Sequence, residues 1–268
     1  MPDGPIALAT CAALPDLDPD DRLLAAALGG RAVPAVWDDP AVDWDAFALV
    51  VVRSTWDYVG RREAFLAWAD ALGDRLRNPP GVLRWSTDKR YLGELAAAGL
   101  PVVQTAFAAP GDPLPAPPVV VKPAVGAGSI DAERHDDRRA AADHVARLHA
   151  GGRVAMVQPY VDAVETALLY LGGAYSHAIH KGPLLAGGAE RDASGLYVTE
   201  EISAAEPSAA EREVADRVMA WVTERFGALL YARVDLLGAA VLEVELAEPS
   251  LFLGQAHGAA ERLAAAIL

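Results

Sequence analysis

Leu230–Leu246 reads LYARVDLLGAAVLEVEL, two apolar runs with charged residues at every second position around a glycine-containing turn. A period of two is that of a β-strand, and the pattern predicts a hairpin of strands Leu230–Leu236 and Val241–Leu246. With Gly238-Ala239-Ala240 as the loop, Leu237 faces Val241, Asp235 faces Glu243 and Arg233 faces Glu245. All four charged side chains then project from one face, and Ala232, Val234, Leu236, Leu242 and Val244 take the other. A slip of one residue would destroy this arrangement. Three carboxylates so placed raise one another's pKa unless a cation neutralises them. Mg²⁺ suits them, because it takes a few carboxylate oxygens and completes its shell with phosphate and water. The simpler alternative is an exposed hairpin with Arg233–Glu245 as an ordinary cross-strand pair.

Upstream of the hairpin, Ser208 caps a helix running to Gly227, with Glu211 completing a capping box. Thr166–Leu171 and Ala174–Lys181 form a second hairpin around Gly172-Gly173. Asp136–Ala150 is helical, Val154–Gln158 is a strand, and residues 182–195 are glycine-rich and expected to be mobile. Ala108–Pro118 holds five prolines and reads as a connector into the short strand VVVKP. A helix is expected from Ser86-Thr87-Asp88 to Gly99. At the N-terminus, strands at 5–10, near Val33–Trp37 and ending at Val52 alternate with helices opened by Asp18-Pro19 and spanning Arg61–Leu72, a parallel α/β unit.

Ligands of such sheets sit beyond the carboxyl ends of strands. Two loops leave those ends here. Thr10 and Cys11 follow the first strand, and Arg53, Ser54, Thr55, Trp56, Asp57 and Tyr58 follow the third. The second is dense in hydrogen-bonding groups and reads either as a substrate loop or as a loop in which Arg53 and Asp57 secure their own backbone. Lys122 precedes Gly126-Ala127-Gly128-Ser129, whose backbone N–H groups suit phosphate oxygens. The GxxxxGK[ST] phosphate loop is absent. Gln158, Tyr160 and Val161 lie on a segment able to present backbone to an adenine edge, and Glu165 follows as a candidate for ribose hydroxyls. The chain has three lysines against twenty arginines, and Lys89, Lys122 and Lys181 each fall at a strand end or helix start.

The net charge of −14 argues against a nucleic-acid partner. One cysteine, Cys11, excludes a disulfide framework and fits a cytoplasmic location. No apolar run is long enough to span a membrane, and the start lacks the pattern of a signal peptide. A homodimer is compatible with everything in the sequence.

In order along the chain stand a lysine near a helix start, a strand lysine with a glycine-rich loop, QPYV with a later glutamate, and RVD with EVE on a hairpin. This series resembles the ATP-grasp superfamily over essentially the whole length. The segments TCAALPDLDPDD, VVRSTWDY, TDKRYL, VVVKPAVGAGS, SHAIHKGPLL and LEVELAEPSLFL are more specifically similar to the O-ureidoserine cyclo-ligase branch, associated with cycloserine formation. The resemblance implies an α/β ATP-grasp fold: an N-terminal α/β domain over 1–84, a small lobe over 85–160, and a C-terminal lobe with the metal hairpin over 161–268. It implies that Lys89 and Lys122 contact ATP phosphates under the Gly126–Ser129 loop, and that Gln158, Tyr160 and Val161 line the adenine pocket. Glu165 would bind ribose, Arg233 the γ-phosphate, and Lys181 would sit near the reacting groups. Asp235, Glu243 and Glu245 would hold one or two Mg²⁺, or Mn²⁺ in their place. Thr10, Cys11, Arg53, Ser54, Thr55, Asp57 and Tyr58 would meet a small amino-acid-like substrate. Two departures stand out: Glu243-Val244-Glu245 where many relatives have Glu-x-Asn, and His180 where the branch leads one to expect a more basic residue.

The implied reaction is phosphorylation of a substrate oxygen by ATP to give an acyl-phosphate-type intermediate, followed by displacement of phosphate by nitrogen. Positioning and charge neutralisation supply most of the acceleration. The alternatives are an intermolecular carboxylate–amine ligase, a nucleotide-binding regulatory protein without turnover, and a plain binding module for a small acid.

Overall fold

The computed structural model describes residues 4–182 and 192–268. Most of the glycine-rich stretch expected to be mobile lies outside them. Three sheets organise the described residues. The first is wholly parallel, in the order β2 (Ala32–Val36), β1 (Ile6–Thr10), β3 (Leu49–Val52), β4 (Leu76–Arg77). Helices α1 (Pro19–Leu28) and α2 (Arg62–Leu72) supply its crossovers. Asp18 caps α1 by accepting from the Asp20 N–H, with Pro19 opening the helix as its sequence predicts.

The second sheet is antiparallel: β5 (Ala106–Ala108), β8 (Ala155–Pro159), β6 (Val119–Pro123), β7 (Glu133–His135). Helix α5 (Arg138–Ala150) closes it, burying Ala141, Val145 and Leu148 against Val119, Val121, Ala155 and Val157. The third sheet, also antiparallel, runs β11 (Ile202–Ala205), β10 (Ala174–Lys181), β9 (Glu165–Leu171), β12 (Tyr231–Leu237), β13 (Ala240–Glu245).

Both faces of this last sheet are covered, which is why β9 reads as an unbroken apolar run. Leu168 and Tyr170 pack with Val214, Val218 and Val222 of α6 (Ala209–Phe226). Ala167, Leu169 and Leu171 face Leu24 and Leu28 of α1 and Leu263 and Ile267 of α7 (Ala259–Ile267). The N-terminal sheet joins that same core through Ile6, Leu8 and Val51.

The helix expected from Ser86 to Gly99 is instead two short helices, α3 (Pro80–Ser86) and α4 (Tyr91–Ala97). Pro80 at the first helical position starts α3 six residues earlier than expected, so the domain limit expected at 84 falls inside a helix. β7 and β11 are short strands whose sequences, ERH and ISAA, carry no clear apolar alternation. None of the described helices is long and apolar enough to cross a membrane.

The hairpin and the cavity it floors

Arg233 pairs with Glu245 and Asp235 with Glu243, as the alternation of charges predicts. The turn is one residue shorter than expected, however: Leu237 pairs with Ala240, not Val241. An extra residue, Leu242, is accommodated between Val241 (opposite Leu236) and Glu243 (opposite Asp235), a β-bulge that restores the charged register. The bulge also turns Leu242 out of the apolar face assigned to it, so that it lines a cavity while Val234, Leu236 and Val244 stay buried.

That cavity has a volume of about 820 Å³ and lies where the three sheets meet. All three lysines of the chain line it, together with Arg233, Glu165, Glu243 and Glu245. Lys89 Nζ lies 2.8 Å from Glu243 Oε1 and donates to the Gly126 carbonyl at 2.8 Å. Lys122 Nζ approaches the other Glu243 oxygen only to 4.0 Å. Burial, with Lys89 and Lys181 nearby, lowers the Lys122 pKa against the pull of Glu243 and Glu165, whereas Glu243 and its carboxylate neighbours raise that of Lys89 despite burial. Lys181, directly opposite Glu165 across the β9–β10 pair, lies 2.7 Å from its carboxylate and 2.6 Å from Asp235.

Arg233 donates to both oxygens of Asp235, at 2.8 and 3.0 Å, and to Glu245 at 2.5 Å. Asp235 is 1% exposed and does not line the cavity. Arg233 and Lys181 pair with its oxygens, and it lies behind them as their anchor. Despite burial, these two cations hold its carboxyl well below the usual range. Glu245 shifts the opposite way. Burial pushes it up to about 8, because Arg233 is shared with Asp235 while Glu243 and Asp235 crowd it. Burial likewise pushes Glu248, which also lines the cavity, up to about 7, against a hydrogen bond from Tyr58.

Gln158, Tyr160 and Val161 line the far end, and Gln158 Nε2 donates to Thr105 Oγ1 at 2.9 Å. Gly126, Ala127, Gly128 and Ser129 form the roof. Gly128 has φ +60° and packs so tightly that an added Cβ would lie 2.4 Å from the Leu196 carbonyl oxygen and 2.7 Å from Tyr197 Cα. Its carbonyl accepts from the Val198 N–H at 3.0 Å. Gly128→Ala should therefore lift the roof off this segment. The expected result is a rise of about tenfold or more in KM for ATP with a small change in melting temperature, since a displaced lid leaves the cores intact. An unchanged KM would show that this contact does not matter to nucleotide binding.

Of the seven residues expected to meet substrate, only Tyr58 lines the cavity. Thr10, Cys11, Arg53, Ser54 and Thr55 are fully buried. Arg53 donates to Asp21 at 2.8 Å and to the Pro249 carbonyl at 2.6 Å, and Ser54 donates to Asp21 at 3.0 Å. Asp57 accepts from Trp37 Nε1 at 2.8 Å and pairs with Arg61. The polar loop is a clamp between lobes, because the C-terminal sheet sits over the strand ends that an isolated α/β domain would leave open. Trp56, absent from the expected set, lines the cavity and donates to the Glu248 carbonyl at 2.9 Å. Asp20, also lining it, accepts from the Leu253 and Gly254 N–H groups at 2.9 Å. Tyr197 and Phe252 complete that end, the latter held at φ 49°.

A family model described as the N-terminal domain of D-cycloserine synthetase DcsG matches residues 6–78. The chain is 39% identical over 259 residues to the cycloserine biosynthesis protein DcsG of Streptomyces lavendulae, covering 86% of each. The crystal structure of D-cycloserine synthetase DcsG superposes with a TM-score of 0.86 at 36% identity, over 98% of both chains. A D-alanine–D-alanine ligase from Bacillus anthracis gives a TM-score of 0.68 at 14% identity, covering 98% of this chain and 96% of that one, a likeness of fold.

Proposed function

The chain belongs to the D-cycloserine synthetase family, an ATP-grasp ligase that forms carbon–nitrogen bonds, and on that premise we propose that it closes a ring within one small amino-acid-like substrate of the ureido-serine type. The observation that carries this reading is the convergence on one cavity of Lys89 from the α3–α4 connection, Lys122 from the second sheet, and Lys181 and Arg233 from the third. Four cations confined there suit a triphosphate. A volume of about 820 Å³ is ample for a nucleotide and a small acid side by side.

In this reading Lys89 and Lys122 bind phosphate oxygens beneath Gly126–Ser129. Gln158, Tyr160, Val161 and the bulged Leu242 surround adenine, and Glu165 takes the ribose. A substrate carboxyl oxygen attacks the γ-phosphorus and the bond to ADP breaks, while Arg233 and Lys181 neutralise the charge on the transferring group. A nitrogen of the same molecule then attacks the activated carbon, phosphate leaves and the nitrogen gives up a proton. Trp56, Tyr58, Tyr197 and Phe252 wall the substrate end, which supports one compact substrate over a long chain. The three sheets serve as the N-terminal, small and C-terminal lobes, with α3 as the hinge-side boundary near residue 84.

ATP-grasp ligases use ATP with Mg²⁺. Glu243 and Glu245 fit the metal here: they line the cavity, and burial, with Glu243 and Asp235 close by, pushes Glu245 up to about 8 against the pull of Arg233. One or two ions bound to them would neutralise phosphate charge and polarise the phosphoryl oxygens. A proton must leave Glu245 first. Mg²⁺ affinity in the presence of nucleotide should therefore rise about tenfold per pH unit up to about pH 8 and level off above it. Calorimetry in two buffers of different ionisation heat should detect the released proton. Affinity independent of pH between 6 and 8 would count against Glu245 as a ligand.

The test of function is ADP release with a panel of ureido amino acids and simple amino-acid carboxylates, each with and without an external amine. Release with a single ureido amino acid and no amine is expected. Release only when an amine is added would make the enzyme an intermolecular ligase, and no release with any member would sink the substrate class.

A further inference from the structure

Away from the cavity, β7 and α5 bring together a group that the ligase reaction does not use. Glu133 and His135 stand at alternate positions of β7 and share a face, and His144 approaches them from the second turn of α5. His135 Nε2 and His144 Nδ1 are 2.9 Å apart. Glu133 Oε2 lies 3.8 Å from the first and 3.9 Å from the second. The histidines are buried and the glutamate is exposed.

We propose that Glu133, His135 and His144 form a binding site for one Zn²⁺ ion at the base of the glycine-rich roof. The triangle of donor atoms carries the argument. A point equidistant from all three lies about 2.1 Å from each, which is the bond length zinc makes to imidazole nitrogen and carboxylate oxygen. Small outward movements of the two rings would replace their mutual contact by two metal bonds and leave a fourth position open to water. The ligand set is two imidazoles and one carboxylate, which suits zinc better than Mg²⁺ with its all-oxygen preference. Burial, with Arg147 and His135 nearby, keeps the His144 imidazole toward its neutral, ligating form, against the pull of Glu133. Arg147 lies 3.3 Å from Glu133 Oε1 and 3.4 Å from Oε2, and would keep only the first contact when Oε2 turns to the ion.

The site has a structural purpose in reach. β7 is the strand into which the Gly126–Ser129 roof runs, and Arg134, between two of the ligands, stacks its guanidinium 4.0 Å above the ring of Tyr160, which lines the nucleotide end of the cavity. An ion joining β7 to α5 would fix the base of the roof and its neighbouring wall.

The experiment is a Zn²⁺ titration by calorimetry on the full chain, stripped with a chelator and kept in excess Mg²⁺ to occupy the hairpin carboxylates. About one equivalent should bind, and Glu243→Gln should bind it equally. Glu133→Gln should weaken binding about 10- to 100-fold and His144→Leu by more than about 100-fold. If His144→Leu does not fold, Glu133→Gln and the visible spectrum of wild-type protein loaded with Co²⁺ decide, the expected spectrum being the intense bands of four-coordinate cobalt. The proposal is overturned by absence of Zn²⁺ binding, by binding that persists undiminished in Glu133→Gln and His144→Leu, by binding lost in Glu243→Gln, or by the weak bands of octahedral cobalt.

Discussion

Replacing Glu243 with glutamine should lower kcat for substrate-dependent ADP release by about a thousandfold or more while changing the affinity for ATP less than about tenfold. Glu243 is the carboxylate on which Lys89 and Lys122 both bear, and it lies on the cavity surface, unlike Asp235. Glutamine keeps the volume and one oxygen, so Lys89 retains an acceptor and the hairpin its shape. What disappears is a negative charge, and with it the anionic metal ligand proposed above for the point where phosphate charge is neutralised. The two lysines remain and no longer share their charge with a carboxylate, so nucleotide binding is expected to persist. The split between kcat and affinity is the diagnostic, measured by coupled ADP release and by thermal shift with ATP. A kcat within tenfold of wild type would mean that Glu243 only balances the lysines and that the metal lies elsewhere. Loss of ATP binding and turnover together would mean that it organises the whole phosphate site.

The hairpin also shows what its sequence did and did not contain. Alternation fixed which residues share a face, and the pairing of Arg233 with Glu245 and Asp235 with Glu243 followed from it. The turn did not follow, because Gly238-Ala239-Ala240 is compatible with two or three loop residues; only packing selects the shorter turn with Leu242 bulged toward the cavity. The loop after β3 was less legible. Arg53, Ser54 and Thr55 have the composition of a binding loop, but composition does not reveal that a sheet from residues 165–245 covers them and converts their polarity into an inter-lobe clamp. Among the loop's side chains, Trp56 and Tyr58 reach the cavity, and the apolar bulk of Trp56 carries no local sign of a site. The lysines were legible because they are so few. The zinc candidate was not, since Glu133–His135 is a three-residue strand with no apolar alternation, and nothing local links it to His144 nine residues on.

Asn78→Ala should destabilise the protein by about 3–5 kcal/mol, the largest effect expected of any single substitution outside the hydrophobic cores. Asn78 is 1% exposed and sits between β4 and α3, at the seam of the N-terminal and C-terminal sheets. Its amide nitrogen donates to the carbonyls of Tyr231 at 2.9 Å and Leu246 at 2.7 Å, and its oxygen accepts from the Leu230 N–H at 2.8 Å. One side chain thus satisfies three backbone groups at the open end of the hairpin. Alanine removes all three partners at once, and each orphaned buried group costs roughly 1–3 kcal/mol, partly relieved by relaxation or an entering water. Asn78→Asp separates the two kinds of bond, because it keeps the acceptor for Leu230 while losing the donor and adding a buried negative charge beside two carbonyls. It should be no more stable than the alanine variant. Urea unfolding would measure both, and the midpoint should fall without a change in slope if the native state stays compact. A loss below about 1 kcal/mol in Asn78→Ala would show that the seam is held by the buried Arg53–Asp21 pair and the Tyr231 hydroxyl, which donates to the Ala247 carbonyl at 2.9 Å, and that the hairpin does not depend on Asn78 for its position.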